Sequence, residues 1–357
     1  MLAGVGATPT ADSAQAETFL EEVQEDDLGS ARAGSTRAVA TTPQAEAEGF
    51  DRGTQPSAPA SASTGLAESA LAGIVTTAAR ATTETAQPKE TATTRTGLLH
   101  DFPRGAGPGS FLHSLLEWAG QEGFDRAAEQ AAELRAQVQR RCQLAGYGRW
   151  APQLQRWLHQ WLVTPLPLGA ASADEASSST AAGACNSPTP AVAPSGLRSV
   201  KVEMEFWFPA PQVPLRRLDE LVRRHTLAGA ARPALSAHTL NGMLKGFIDL
   251  VFEHDGRYFV ADHKSNWLGP MDADYTPQRM RQVMLDKRYD LQAVLYVFAL
   301  HRLLRSRLTE YDYARHVGGA VYLFLRGHAA PGQGLHVERP PWALIEALDQ
   351  MFSGSVA

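Results

Sequence analysis

Two aspartates and a lysine, Asp249, Asp262 and Lys264, sit in two apolar runs, LKGFIDLVFEH and RYFVADHK, joined by Asp255-Gly256. Asp-Gly between such runs is the strongest short-range sign of a β-hairpin. A two-residue loop pairs His254 with Arg257, and counting outward from that pair puts Asp249 directly opposite Asp262. Their β-carbons would then stand about 4.5–5.5 Å apart on one face. Lys264, two residues on, falls on the same face, opposite Phe247. Carboxylates held that close repel unless a positive charge lies between them. Hard divalent cations such as Mg²⁺ take carboxylate oxygens and complete their shell with water and substrate phosphate. A lysine beside such an ion can stabilise negative charge developing on a phosphate, or help position or deprotonate the attacking water. The trio therefore points to metal-assisted phosphodiester hydrolysis. The plainer alternative is a surface hairpin whose Lys264 pairs with Asp262 or Asp249. A one-residue slip or a bulge would spoil the geometry.

The elements that must hold this hairpin are legible around it. Residues 109–162 read as helical, with Phe111, Leu112, Leu115, Leu116 and Trp118 among the apolar positions. VEMEFWF at 202–208 reads as a strand, with Met204, Phe206 and Phe208 on one face and Glu203 and Glu205 on the other. After the hairpin come a polar connection over 265–280, a long helix over about 281–307, a strand at 318–326 and a closing helix begun by Pro341. The order of helix, strand, hairpin, helix, strand, helix predicts an α/β domain with a small mixed sheet flanked by helices.

Composition sets the domain boundary. Of 28 Phe, Trp and Tyr, only Phe19 and Phe50 precede residue 99, so residues 1–97 read as a disordered low-complexity arm and 98–357 as the folded domain. Residues 169–199 contain no aromatic and read as a low-complexity surface loop. The chain is −5 overall, but residues 1–98 carry 13 acids and 6 bases, leaving 25 acids and 27 bases for the rest. A nearly neutral domain neither demands nor excludes a nucleic-acid partner. Two cysteines, Cys142 and Cys185, are too few for a Cys-only zinc site, a four-cysteine iron–sulfur cluster or a disulfide framework. No apolar run of 18 residues predicts a membrane span, and the first residues carry no secretory signal, so the expected location is cytoplasmic.

Further polar residues have both plain and functional readings. His113, in FLHSLLE, is by default a structural histidine on an apolar helix. Gln292 and Tyr296, four apart, share a helix face and could be no more than an interfacial pair at the edge of the core. Glu203 and Glu205 could be solvated strand residues. Ser265, Asn266 and Trp267 follow the lysine, where they could contact a phosphate or merely close the strand.

The blocks FPRGAGPGSFLHSLLE, EMEFWFP, KGFIDLVFEHDGRYFVADHKSNWLG, RYDLQAVLYVFALHRLLR and YDYARHVGGAVYLFLRG run in order through most of the foldable chain. In that order they resemble the PD-(D/E)xK nuclease superfamily and, within it, the C-terminal nuclease domain of the RecB type, the exodeoxyribonuclease V beta subunit. A series of long blocks is far more specific than a short motif. The resemblance implies a restriction-endonuclease-like core and a Mg²⁺-dependent deoxyribonuclease acting in double-strand break repair and recombination, with one or two Mg²⁺ ions and Mn²⁺ as an alternative. It implies metal ligands at His113, Asp249, Asp262 and the main-chain carbonyl of His263, with Lys264 as the catalytic lysine. His263 stands where tyrosine is more usual; its side chain alternates away from the site and is expected to be packed or solvated. The resemblance also makes Gln292 and Tyr296 a Gln-x-x-x-Tyr motif lining the active site, supporting it or touching the DNA backbone or the metal-bound water, and Glu205 a supporting acid. The implied partners are DNA, single-stranded by preference, RecC-like and RecD-like subunits, and RecA. No G-x-x-x-x-G-K-[ST] loop occurs, so unwinding is expected from elsewhere, whether the chain is a fragment or a stand-alone nuclease. The alternative is a catalytically silent nuclease-like module that docks subunits or DNA. A degenerate copy should have lost His113, Asp249, Asp262 or Lys264, and all four are present.

Overall fold

The computed structural model describes residues 98–169 and 191–354, all within one compact unit. The arm expected over 1–97 and most of the loop expected over 169–199 lie outside the described residues. The described end of that loop is ordered: β2 (Ala191–Val192) pairs antiparallel with β1 (Leu166–Pro167).

The helical stretch before it is four helices: α1 (Ala106–Glu122), α2 (Phe124–Glu129), α3 (Ala131–Leu144) and α4 (Ala151–Val163). Gly123, at φ 96°, makes the first break, a backbone angle that side-chain-bearing residues resist. Then follow β3 (Lys201–Pro214), α5 (Leu215–His225), β4 (Thr239–His254) and β5 (Arg257–Lys264). Helix α5 was not expected, although Leu215, Leu218 and Val222 recur at helical spacing and are all buried. The chain continues through α6 (Pro277–Asp286), α7 (Tyr289–Arg307), α8 (Tyr313–His316), β6 (Val317–Phe324), β7 (Leu335–Glu338) and α9 (Trp342–Phe352).

Strands β3 to β7 form one sheet in sequence order, antiparallel throughout except for the parallel pair β5–β6. A parallel pair needs a long crossover, and α6 and α7 lie within it. Helices cover both faces. One core packs α5, α6, α7 and α9 on the sheet through residues such as Leu218, Met284, Phe298 and Leu348. The other packs α1 to α4 on the opposite face through Leu112, Leu115, Trp157 and Trp161. Covered on both sides, β6 is buried at every residue. Edge strand β3 carries Pro209 and Pro211, which a central strand would not tolerate.

The single long helix expected over 281–307 is two helices. Arg288 between them adopts φ 56°. Its guanidinium donates to Pro233 O at 2.7 Å and pairs with Asp219 at 2.7 Å and Asp290 at 3.2 Å. Asp290, fully buried in the first turn of α7, also accepts from Arg232 Nη1 at 2.6 Å. The remaining Arg232 donors go to Ala230 O, Thr226 Oγ1 and Thr226 O. This network anchors the start of the helix that carries Gln292.

Candidate active site

The hairpin forms in the expected register. Asp255 (φ 52°) and Gly256 (φ 75°) make the turn, and β4 pairs with β5 from His254–Arg257 to Leu250–Ala261. The recorded ladder stops one pair short of Asp249 and Asp262, so Lys264 does not lie opposite a paired Phe247. On their other sides Phe247 pairs with Glu205 on β3, and Lys264 with Phe324 on β6. Where the ladder ends, Asp249 Oδ2 accepts the His263 backbone N–H at 2.8 Å.

A cavity of about 260 Å³ opens at that point, lined by Asp249, Asp262, Lys264, Gln292, His113 and Ser265, with further α1 residues at its wall. Lys264 is 3% exposed, with Nζ 2.9 Å from Asp262 Oδ2 and 3.9 Å from the centre of the Tyr289 ring. It is no surface ion pair. His113 reaches the cavity from α1, its Nδ1 3.4 Å from Asp249 Oδ2. The His263 ring is packed, as expected, against Trp161 and His113, but it is not idle: Nδ1 lies 3.3 Å from Asp249 Oδ2.

Burial raises the pKa of a carboxyl, and a nearby positive charge or a donated hydrogen bond lowers it. Burial tends to push Asp249 up, but the His113 and His263 imidazoles outweigh it and hold the carboxyl well below its ordinary range. Burial lifts Asp262 to about 7 against the pull of Lys264, and the nearby Asp249 charge adds to the lift. The two carboxyls are thus pushed apart, one ionised and one close to neutrality.

Gln292 lines the cavity, but Tyr296 is 1% exposed and does not meet solvent. Gln292 Nε2 donates to Tyr296 Oη at 3.1 Å, and Gln292 Oε1 accepts from Tyr322 Oη at 3.0 Å. Direct contact between Tyr296 and DNA is therefore corrected to a supporting role: the tyrosine fixes the amide.

Glu205 is corrected too. It lies away from the cavity, with Oε1 2.8 Å from Lys245 Nζ. Glu117 lines the cavity itself, and Glu203 sits with His113, Glu117, Asp249 and His263 around a small adjoining pocket. Burial first, then the charges of Asp249 and Glu117, push the Glu203 carboxyl up to about 7. Strand alternation fails here: Glu203 has φ 46°, so Val202 packs in the α1–α4 core while Met204 packs in the other. Glu205→Ala is expected to leave cleavage within a few-fold of wild type, because its exposed pair with Lys245 is screened by solvent and lies away from the cavity. Glu203→Ala is expected to slow it at least tenfold. Parallel cleavage time courses check the contrast, and equal effects would undo the assignment of Glu203.

The two halves of the site share one buried anchor. Arg326, 2% exposed, donates to Leu99 O, Phe102 O and Pro103 O ahead of α1, and to Ser265 O just past Lys264, at 2.6–2.9 Å. No sequence signal singled it out.

The side chains around the cavity suit a hard divalent ion: two carboxylates and an imidazole, with more acid nearby than Lys264 balances. Among the described residues no three His, Cys, Asp or Glu side chains already converge as a metal cluster. Lys264 leans on Asp262, and both imidazoles turn to Asp249.

The PD-(D/E)XK nuclease superfamily model matches residues 92–352. The chain belongs to that superfamily. Among curated proteins, this PD-(D/E)XK chain is similar to the RecBCD enzyme subunit RecB of Escherichia coli K12, 42% identical over 260 residues. That match covers 71% of this chain and 20% of the relative. The RecB subunits of Haemophilus influenzae and Mycobacterium tuberculosis are 34% identical over 258 and 284 residues, covering 71% and 72% of this chain and 19% and 24% of theirs. The chain spans about a fifth to a quarter of the length of these relatives, and the matched part is a RecB-type nuclease domain. No helix of the described residues is long and apolar enough to cross a membrane.

Proposed function

We propose that this chain hydrolyses DNA phosphodiester bonds with a divalent cation, Mg²⁺ or Mn²⁺, in double-strand break repair and recombination. The observation that carries the reading is the buried Lys264 ammonium in one cavity with Asp249, Asp262 and His113. Asp249, Asp262, His113 and the His263 carbonyl would hold the ion. Bound there, it would polarise the phosphate and lower the pKa of the attacking water. The chain's own groups do the rest. His113 and the His263 ring and N–H keep Asp249 ionised and oriented. Lys264 stabilises charge gathering on the phosphate oxygens. Gln292, locked by Tyr296 and Tyr322, orients the water or the scissile strand through its amide.

The relatives are named as subunits of the RecBCD enzyme, which supports a setting of RecC-like and RecD-like partners; RecA as a partner and a cytoplasmic location extend that reading. Unwinding would come from another polypeptide or from another part of a longer chain, leaving single strands as the preferred substrate. A silent docking module is disfavoured because every site residue is present and Lys264 is buried rather than solvated.

The test is cleavage of linear single-stranded DNA by the purified chain with Mg²⁺, with EDTA, and with Ca²⁺. Cleavage is expected with Mg²⁺ alone, because Ca²⁺ accepts loose coordination and activates water poorly. Calorimetry should show divalent binding weakened in Asp249→Ala and Asp262→Ala. EDTA-resistant cleavage, or unchanged binding in both variants, would refute the assignment.

A further inference from the structure

The five residues after Lys264, SNWLG, form a loop whose backbone is pinned on either side of one side chain. Ser265 O accepts from Arg326 Nε at 2.9 Å. Asn266 O accepts from Tyr275 Oη at 3.3 Å, and Asn266 Oδ1 from Tyr289 Oη at 3.4 Å. The Leu268 N–H donates to the same Tyr275 hydroxyl, and Leu268 O accepts from Arg279. Between these anchors Trp267 leaves 38% of its surface to solvent. The Arg104 guanidinium carbon lies 3.5 Å from the centre of its ring.

The location gives this stack its meaning. Ser265 lines the cavity, and two residues of extended chain reach at most about 7 Å, so Trp267 lies in the short loop that leaves the cavity wall. Arg104 precedes α1, whose Gly109, Ser110 and His113 line the same cavity, with Gly109 close against Ser265. Both partners hang from Arg326, which binds the carbonyls of Leu99, Phe102, Pro103 and Ser265. An indole held rigid by its loop and backed by a cation suits a nucleotide. A base stacks on an aromatic face whatever its identity, and a guanidinium meets the phosphate beside it. Arg326 alone already ties the two loops together, so the exposed stack is not needed as a second latch.

We propose that Trp267 and Arg104 form a nucleotide subsite beside the active site, where a base of the single strand being cut stacks on the indole and Arg104 meets an adjacent phosphate. The proposal rests on the DNA-nuclease reading and names how that same site grips its substrate.

The test uses the full chain with a 12-nucleotide oligothymidylate and a series of the same oligomer carrying one abasic position each. Binding is read by fluorescence anisotropy in Ca²⁺ and cleavage by steady-state kinetics in Mg²⁺. Wild type should lose affinity at one or two abasic positions by roughly 5- to 150-fold, the range for losing a stacked base. Trp267→Ala should bind the intact oligomer that much more weakly, through KM with kcat kept, and should no longer sense abasic positions. Trp267→Phe should restore both. Arg104→Ala should weaken binding and flatten its salt dependence. If Trp267→Ala binds the oligomers with wild-type affinity and the wild-type abasic profile, the subsite is wrong while the nuclease reading stands. A lowered melting temperature with KM unchanged would make the stack a latch between loops and also overturn it. If wild type neither binds nor cleaves the oligomers, both readings fall together.

Discussion

Lys264→Ala is expected to abolish cleavage while the chain stays folded and still binds single-stranded DNA. The ammonium is 3% exposed, 2.9 Å from Asp262 Oδ2 and 3.9 Å from the Tyr289 ring centre, with the Tyr322 ring centre 5.7 Å away. Removing one positioned electrostatic donor typically costs about 10²–10³ in rate. Stability should suffer less than for most buried pairs. The Asp262 carboxyl is already lifted to about 7 by burial, so it can take up a proton once its partner is gone. Lys264→Arg should not rescue, because a planar guanidinium cannot replace a compact ammonium between two tyrosine rings and a carboxylate. Single-turnover cleavage of a labelled single strand, run beside thermal melts of wild type and both variants, decides it. Cleavage by Lys264→Ala within a few-fold of wild type would end the role given to the lysine.

Asp290→Ala is expected to cost about 3–5 kcal/mol of stability, since it strands buried positive charge. Asp290 is fully buried between Arg232 Nη1 at 2.6 Å and Arg288 Nε at 3.2 Å, and the Arg232 side chain is itself fully buried. Replacing both charges, as in Asp290→Leu with Arg232→Met, should recover much of the loss, because a buried pair swapped for apolar groups of similar volume is often near neutral. Urea unfolding of the single and double variants measures this. A loss below about 1 kcal/mol for Asp290→Ala would mean that water reaches the network. The active site should feel the change, for Asp290 begins the helix that holds Gln292 two residues on.

The hairpin was the most legible part of the molecule because a two-residue Asp-Gly turn leaves one register. Every recorded pair from His254–Arg257 to Leu250–Ala261 obeys it. The choice of Glu205 came from the resemblance, and strand alternation, which puts Glu203 and Glu205 on one face, did nothing to correct it. Alternation along β3 assumes extended backbone, and the φ of 46° at Glu203 turns that side chain toward the site. Glu203 and Glu205 are indistinguishable by residue type, and no periodicity announces the irregularity. The break between α6 and α7 was hidden for a related reason. Arg288 is neither glycine nor proline, and its left-handed backbone is stabilised by partners at Asp219 and Pro233, more than 50 positions away. Helix α5 does leave a mark, in the helical spacing of Leu215, Leu218 and Val222. Strand β7, four half-buried residues long, offers too short a pattern to find. Arg326 could not be seen either, because carbonyls are present at every residue and leave no mark in a sequence.

The prolines of β3 matter beyond the molecule itself. An edge strand of 14 residues would ordinarily be a template on which another chain could add by main-chain pairing. Pro209 and Pro211 withhold two N–H donors from the middle of that edge and narrow the backbone angles on either side. Copies of the chain crowded together are thereby denied the continuous zipper that seeds fibrils, so a long apolar strand can serve the core without becoming a nucleus for aggregation.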